Sequence, residues 1–160
     1  MPEVVSDTTP LIALSKISKL DLLEVLYGEI NIPAGVFEEY EEGKNKDFYK
    51  EILKLDWIKI REIKNKKELE NYPELDRGEK EAIALAEEIK GDLLIIDEVR
   101  GRKIAKSKGL KITGTVGVLL KAKKKRLIQE VLPFVYELRD KGTWIGDDLI
   151  EFIKETEEES

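Results

Sequence analysis

Two aspartates in this 160-residue chain stand directly after short apolar stretches, where a buried strand would end. Asp7 follows the apolar residues 4–5, and Asp97 follows the apolar residues 93–96. Each has an ordinary interpretation, as a turn residue for Asp7 and as a helix N-cap for Asp97. If the two stretches are parallel strands of one sheet, however, both carboxylates lie at the same edge. Hard oxygen ligands gathered in this way are typical of a site for a divalent cation.

Two glutamates near predicted helix starts border the same edge in this interpretation. Glu39 lies on an acid-rich helix, where a solvated surface position is the ordinary explanation. Glu79 completes a D-x-x-E capping box with Asp76, which also accounts for it without any function. Carboxylates that converge there raise one another's pKa unless a cation is bound. The sequence therefore predicts an Mg²⁺ or Mn²⁺ site with four candidate ligands, Asp7, Glu39, Glu79 and Asp97.

The chain contains no histidine and no cysteine. This excludes a histidine general base, a Ser-His-Asp triad, a thiolate nucleophile and a zinc site with His or Cys ligands. The carboxylates that remain prefer hard cations such as Mg²⁺ and Mn²⁺. Any catalysis by this chain is therefore expected to depend on carboxylates and a metal ion.

Apolar runs and helical periodicities alternate along the chain and predict an α/β fold with a parallel sheet covered on both faces. Strands are expected at residues 4–5, 30–32, 57–63 (peripheral), 93–96 and 110–113, with a further short strand at 144–145. The first helix is expected to have Thr9 as its N-cap and Pro10 as its first residue. Later helices are expected from Asp76, over about 98–108, from Val116, over 127–138 and over 148–154, with Glu81 at the surface.

Length and composition predict one domain over residues 1–154, followed by a frayed acidic tail at 155–160. The net charge is −6, so any binding of nucleic acid has to be local. The N-terminus lacks the pattern of a signal peptide, and no apolar run approaches the length of a membrane span. These features predict a cytoplasmic protein that makes no contact with a membrane.

Five segments in order resemble motifs of PIN-domain proteins, in the archaeal and bacterial branch that opens with D-T-S-P-L-I. They are SDTTPLIALSKI, IPAGVFEEY, DRGEKEAIALA, LLIIDEVRGRKIA and ITGTVGVLLKAKKKRLI, and they span about residues 4–128. The resemblance implies a three-layer α/β sandwich with a mainly parallel central sheet flanked by helices. It also implies a metal-dependent ribonuclease acting on RNA, often a VapC-like toxin with an antitoxin partner, and a homodimer.

The resemblance assigns the family's acidic positions to Asp7, Glu39, Glu79 and Asp97. Thr9 stands where the family often has serine, and Glu98 replaces a frequent second aspartate, so both are expected to support the site. The arginine position of the fourth motif is Arg102, which is either structural or directed at phosphate. A basic run is a candidate for RNA binding, although a solvated helix face is its ordinary interpretation: Lys121, Lys123, Lys124, Lys125 and Arg126.

Other functions fit the acidic positions to different degrees. A phosphoacceptor receiver domain needs an acid pair after the first strand, and a haloacid-dehalogenase-type phosphatase needs D-x-D, whereas Thr9 occupies the third position here. The stronger alternative is a catalytically inactive PIN-like module that binds RNA or protein. The residues Thr9 and Glu98 keep this alternative open.

Overall fold

The computed structural model describes residues 2–158. Its strands are β1 (Val4–Ser6), β2 (Ile30–Pro33), β3 (Ile58–Arg61), β4 (Leu93–Ile95) and β5 (Ile112–Thr113). Its helices are α1 (Thr8–Lys16), α2 (Leu22–Tyr27), α3 (Ala34–Glu41), α4 (Arg77–Glu88), α5 (Val99–Ser107), α6 (Thr115–Lys124), α7 (Leu132–Asp140) and α8 (Asp147–Glu158). Two short 3₁₀ helices, Ile52–Lys54 and Lys66–Asn71, lie on either side of β3.

The five strands form a single parallel sheet in the order β3-β2-β1-β4-β5. Helices flank this sheet, and α4 packs against β1, β2 and β4. The predicted α/β sandwich with a parallel central sheet is thus confirmed, with β3 at the edge as expected. The chain leaves β1 for β2 on one side and later returns to β4 on the other. The boundary between β1 and β4 is therefore the switch point, outside which α/β sheets bind ligands.

The two central strands are buried apolar runs, as the sequence predicts. Val4 and Val5 in β1 and Leu94 and Ile95 in β4 have no exposed side-chain surface. Val5 lies opposite Leu94, and the Asp7 amide donates to the carbonyl oxygen of Ile95 at 2.9 Å. This register brings the residues that follow both strands to the same edge of the sheet.

The first helix starts two residues earlier than predicted. Asp7, not Thr9, occupies the N-cap position of α1, and Pro10 is the third helical residue. Proline fits there because none of the first four amide groups of a helix has a partner within the helix. The N-cap of α5 is Glu98, so the ordinary interpretation of Asp97 as a helix N-cap does not account for it.

Two predictions for the C-terminal part differ from the structure. The helix expected from residue 127 begins at Leu132, because Arg126 adopts a left-handed backbone with φ of 62° and turns follow α6. Pro133 at the second helical position favours the later start. The short strand expected at 144–145 does not form, and these residues belong to the connection between α7 and α8.

The last helix takes in part of the predicted tail. Residues 155–158 are helical within α8, whereas residues 159–160 lie outside the described part of the chain. Among the helices of residues 2–158, none has the length and apolar character that crossing a membrane requires.

Candidate metal centre

Asp7 is the most unusual acid in the structure. Its side chain is only 1% exposed, and neither of its carboxylate oxygens has a hydrogen-bond partner among residues 2–158. Buried polar atoms are nearly always hydrogen-bonded, because leaving one unsatisfied costs about 1–3 kcal/mol and more for a charged group. Two free oxygens on one buried carboxylate therefore point to a ligand that the protein itself does not supply.

The sequence around Asp7 explains why its oxygens are free. An N-cap carboxylate normally accepts from the backbone amide of the second or third helical residue. In α1 the third residue is Pro10, which has no amide hydrogen. In α4 the third residue is Glu79, and its amide donates to the N-cap Asp76 Oδ1 at 2.8 Å. Two N-cap aspartates of the same type thus differ because one helix lacks the usual donor.

The surroundings of Asp7 disfavour its charge. Burial, which is the largest effect, raises the pKa of Asp7 to about 7 from an ordinary 3.8. The Thr8 backbone amide lowers this pKa in part, and the negative charges of Asp76, Glu39 and Asp97 raise it further. A cation bound to Asp7 would offset both the energetic cost of burying this carboxylate and its repulsion by the neighbouring acids.

Glu79 lies in the first turn of α4 and is 8% exposed. Burial raises the pKa of Glu79 well above its usual range and is the largest cause of this shift. A hydrogen bond with Asp76 and the negative charges of Asp76, Asp7 and Glu98 raise this pKa further. The carboxylate approaches α5 so closely that a Cβ placed on Gly101 would lie 3.2 Å from Glu79 Oε2. Glu79 and Asp7 thus belong to one interacting group of acids, as predicted.

Asp97 is fixed by the start of α6. Its Oδ1 accepts from the Thr115 amide at 2.8 Å, and its Oδ2 accepts from the Thr115 hydroxyl at 2.7 Å. The backbone donor belongs to the first residue of α6, where the helix dipole favours a negative charge. The carboxylate is therefore held in one orientation at the end of β4, next to the edge that carries Asp7.

Glu39 holds two other elements together. Its Oε2 accepts from the Thr8 hydroxyl at 2.8 Å, and its Oε1 accepts from the Gly78 amide at 2.8 Å. Glu39 thus connects α3 to the start of α1 beside Asp7 and to the start of α4 beside Glu79. Each carboxylate oxygen of Glu39 and Asp97 keeps a second acceptor site, so both acids can still bind a cation or its water.

Glycines at helix starts are functional residues that the sequence analysis missed. A Cβ on Gly78 would lie 2.7 Å from Glu39 Oε2, and one on Gly114 would lie 2.5 Å from Asp97 Oδ1. Together with Gly101 beside Glu79, these positions let carboxylates pack directly on the backbone. The motifs R-G-E, R-G-R and T-G-T carry this signal at predicted helix starts, but the partner carboxylates are far away in the sequence.

Glu81 is buried, which contradicts its expected surface position. Its side chain is 7% exposed, and its Oε1 accepts from the Gly35 amide at 3.0 Å. Its Oε2 accepts from the Arg77 Nε at 2.7 Å, and Arg77 also pairs with the exposed Glu38. The reason is that α4 faces α3 at this position, so the residue meets a helix start and not solvent.

The supporting residues lie at the rim of the acids. Thr9 is half-buried in the first turn of α1, and Glu98 is exposed at the N-cap of α5. Arg102 donates from Nη1 to the Ile96 carbonyl oxygen at 2.8 Å, so it stabilises the end of β4. This hydrogen bond supports the structural role, which is one of the two roles predicted for Arg102.

The basic run lies at the far end of α6 from Asp97. Nine rises of about 1.5 Å along α6 separate Thr115 from Lys124 by roughly 13.5 Å. Lys121 Nζ lies 4.5 Å from the ring centre of Tyr27, and Lys123 pairs with Glu157 at 3.4 Å. The three exposed cations of this run are Lys124, Lys125 and Arg126.

A divalent cation fits this group of acids on two grounds. Asp7 offers two unsatisfied hard oxygens, and the neighbouring acids raise its pKa. Residues 2–158 contain no group of three or more Asp, Glu, His or Cys side chains arranged as a metal cage. Mg²⁺ does not require one, because it keeps several waters and is usually bound through one or two carboxylates.

Comparison with known families agrees with this arrangement. A family model described as a PIN domain matches residues 3–159, which is nearly the whole chain. No curated protein matches the sequence. The matched range includes Asp7, Glu39, Glu79 and Asp97.

The metal-free wild-type protein is expected to lose stability as the pH rises. The Asp7→Asn variant is expected to lose less stability over the same pH range. A carboxyl whose folded pKa is raised favours folding most below its unfolded pKa, and this contribution is lost as the pH rises through the folded value. For Asp7 this window runs from about pH 4 to about pH 7. Between pH 5 and pH 8 the loss in wild type should exceed that in the variant by about 2–3 kcal/mol. Urea unfolding in EDTA measures this difference, and equal losses in both proteins would contradict the assignment.

Gly114→Ala is expected to destabilise the protein by about 1–3 kcal/mol, because the new methyl group would overlap Asp97 Oδ1. The backbone φ of −127° at Gly114 suits alanine, so the effect isolates the steric contact. Gly43→Ala is the matched control, since a Cβ there meets no atom closer than 3.4 Å. Chemical denaturation of both variants tests this, and equal stabilities would refute it.

Proposed function

We propose that this chain, which belongs to the PIN-domain family, is a divalent-metal-dependent endoribonuclease that hydrolyses RNA phosphodiester bonds. The family supports the coarser statement directly, since the PIN domain is a nuclease-type fold that is typically dependent on divalent metal ions. RNA as the substrate follows from the resemblance of the five motifs.

The observation that carries this proposal is the state of Asp7. A buried carboxylate with two free oxygens, at the switch point of a parallel sheet, would be stabilised in its charged form by a bound cation. Other acids surround it at the same edge, and the chain has no imidazole or thiolate that could act instead. Metal-assisted hydrolysis is the chemistry that such a set of residues supports best.

We assign the cation to Asp7 and Asp97, with Glu79 and Glu39 contributing directly or through water. Bound Mg²⁺ or Mn²⁺ would lower the pKa of a coordinated water and stabilise negative charge on the phosphate oxygens. The protein's own contribution is orientation. Thr115 holds Asp97, and Glu39 holds the starts of α1 and α4 on either side of the site.

RNA cleavage is expected to require both the cation and Asp7. We expect wild-type protein to cleave a panel of structured and single-stranded RNAs with Mg²⁺ or Mn²⁺, and EDTA to abolish the cleavage. Asp7→Asn should lower the cleavage rate by at least about 100-fold, because a metal ligand contributes several kcal/mol to the transition state. The measurement is the initial rate on end-labelled RNA.

The matched control for this experiment is Asp47→Asn, which removes one charge from an exposed loop. It should keep the wild-type rate. Equal cleavage by wild type and Asp7→Asn would place the activity elsewhere or in a contaminant. Absence of cleavage by folded wild-type protein would favour the inactive binding module.

Mn²⁺ is expected to stabilise the folded wild-type protein through the same site. At a concentration of 100 Kd, a ligand that binds only the folded state adds about 2.7 kcal/mol. For a domain of this size that raises Tm by about 5–10 °C. The shift should be largely absent in Asp7→Asn and retained in Asp47→Asn, which differential scanning calorimetry can measure. A full shift in Asp7→Asn would remove Asp7 from the metal site.

Several finer predictions rest on the family resemblance alone. They are the VapC-like toxin role, an antitoxin partner and a homodimer. The cytoplasmic location also stays a prediction of the sequence analysis. Contact of RNA with the basic run at the end of α6 also stays a prediction. The exposed residues Lys124, Lys125 and Arg126 are its natural test positions.

A further inference from the structure

We infer that Glu81 and Gly35 form a positioning pair that holds the metal-binding acids in place from outside the site. Helices α3 and α4 are joined by two reciprocal hydrogen bonds. Glu81 of α4 accepts from the start of α3, and Glu39 of α3 accepts from the start of α4. We call this pair of hydrogen bonds the α3–α4 interlock. The inference rests on the proposed metal site and names residues that no family motif assigns to it.

The two halves of the interlock have the same construction. Each carboxylate accepts from the amide of the second residue of the other helix, at 3.0 Å for Gly35 and 2.8 Å for Gly78. Each also lies directly against that glycine, since an added Cβ would be within about 3 Å of all three carboxyl atoms. Neither glycine can therefore accept a side chain without displacing its carboxylate.

The interlock connects Glu81 to the metal-binding acids through a short series of contacts. Glu81 fixes the first turn of α3, and Glu39 follows Gly35 by one helical turn. Glu39 then contacts the start of α4, where Glu79 is the next residue, and the Thr8 hydroxyl next to Asp7. A shift of α3 would therefore move the carboxylate that holds Thr8 next to Asp7 and Gly78 next to Glu79.

Glu81 itself is held rigidly enough for this role. It is 7% exposed, and Arg77 binds its second oxygen, so the carboxylate is charge-balanced on the outer side of α4. Glu81 has no expected contact with a cation and acts through Glu39. It is therefore a positioning residue and not a metal ligand.

The test compares Mn²⁺ affinity in variants of the full chain, measured from the EPR signal of free Mn²⁺. Glu81→Gln and Gly35→Ala should each weaken Mn²⁺ binding by about 10-fold or more, as removal of groups that orient ligands does elsewhere. The double variant should bind no more weakly than the weaker single variant, because both changes act on the same contact: Glu81→Gln removes the charge of the acceptor, and Gly35→Ala displaces it. A cavity of about 160 Å³ beside Glu81 gives the displaced carboxylate space, so Gly35→Ala should fold.

Two control variants separate positioning from general destabilisation. Glu88→Gln removes a charge on the same helix from a carboxylate that also accepts backbone amides, those of Lys64 and Asn65, at the other end of α4. Gly43→Ala adds a methyl group near the end of α3 without a close contact. Both should bind Mn²⁺ within about twofold of wild type.

The outcomes distinguish this inference from the proposed function. Wild-type affinity in Glu81→Gln, or equal weakening in Glu88→Gln, overturns the positioning role alone. Mn²⁺ binding without RNA cleavage in wild type overturns the nuclease proposal, while the variant affinities still decide the inference. Absence of Mn²⁺ binding in wild type overturns both.

Discussion

The repulsion between carboxylates gathered at one dry sheet edge is the constraint on which the rest of this structure depends. Buried negative charges are unfavourable, and the N-termini of three helices lie at this edge. The starts of α1, α4 and α6 carry or contact these acids, and the start of α3 contacts Glu81 outside the site. Glycines at several of these starts let the carboxylates reach the backbone. The sheet order, the helix starts and the glycines thus together stabilise the negative charges of the buried carboxylates.

The acids divide into two kinds that the residue type alone does not distinguish. Glu39, Asp97 and Glu81 have both oxygens in hydrogen bonds and serve to hold elements together. Asp7 has neither oxygen in a hydrogen bond and offers both to a ligand. The first kind keeps the site in shape, and Glu39 and Asp97 retain acceptor sites beside their hydrogen bonds. In the proposed site, this division would let a cation bind without a preformed cage of three carboxylates.

The sequence predicts much of the fold because its local signals are strong. The apolar runs before Asp7 and Asp97 are too short and too apolar for anything but buried strands, and parallel pairing then places both acids at one edge. The sequence does not reveal which helix starts bind which carboxylates, because Gly35 and Glu81 are 46 residues apart and meet only in the fold. The sequence offers a cap of the following helix as the ordinary interpretation of Asp97, whereas this residue contacts Thr115 at the start of the next helix. The predicted surface position of Glu81 is wrong for the same reason. Helical periodicity shows which residues share one face of a helix, but it does not show which neighbouring helix packs against that face.

Pro10 has a consequence for how the site behaves before any ligand arrives. A carboxylate at a helix start can usually satisfy itself by a small rotation toward the third backbone amide, and that self-satisfied state competes with binding. In α1 this amide hydrogen is missing from the covalent structure, so no side-chain rotation can recover that bond. The Asp7 carboxylate is therefore available to a ligand because a backbone donor is absent, and not because its side chain is held rigidly. A cation that binds at the proposed site would therefore not have to break that bond first.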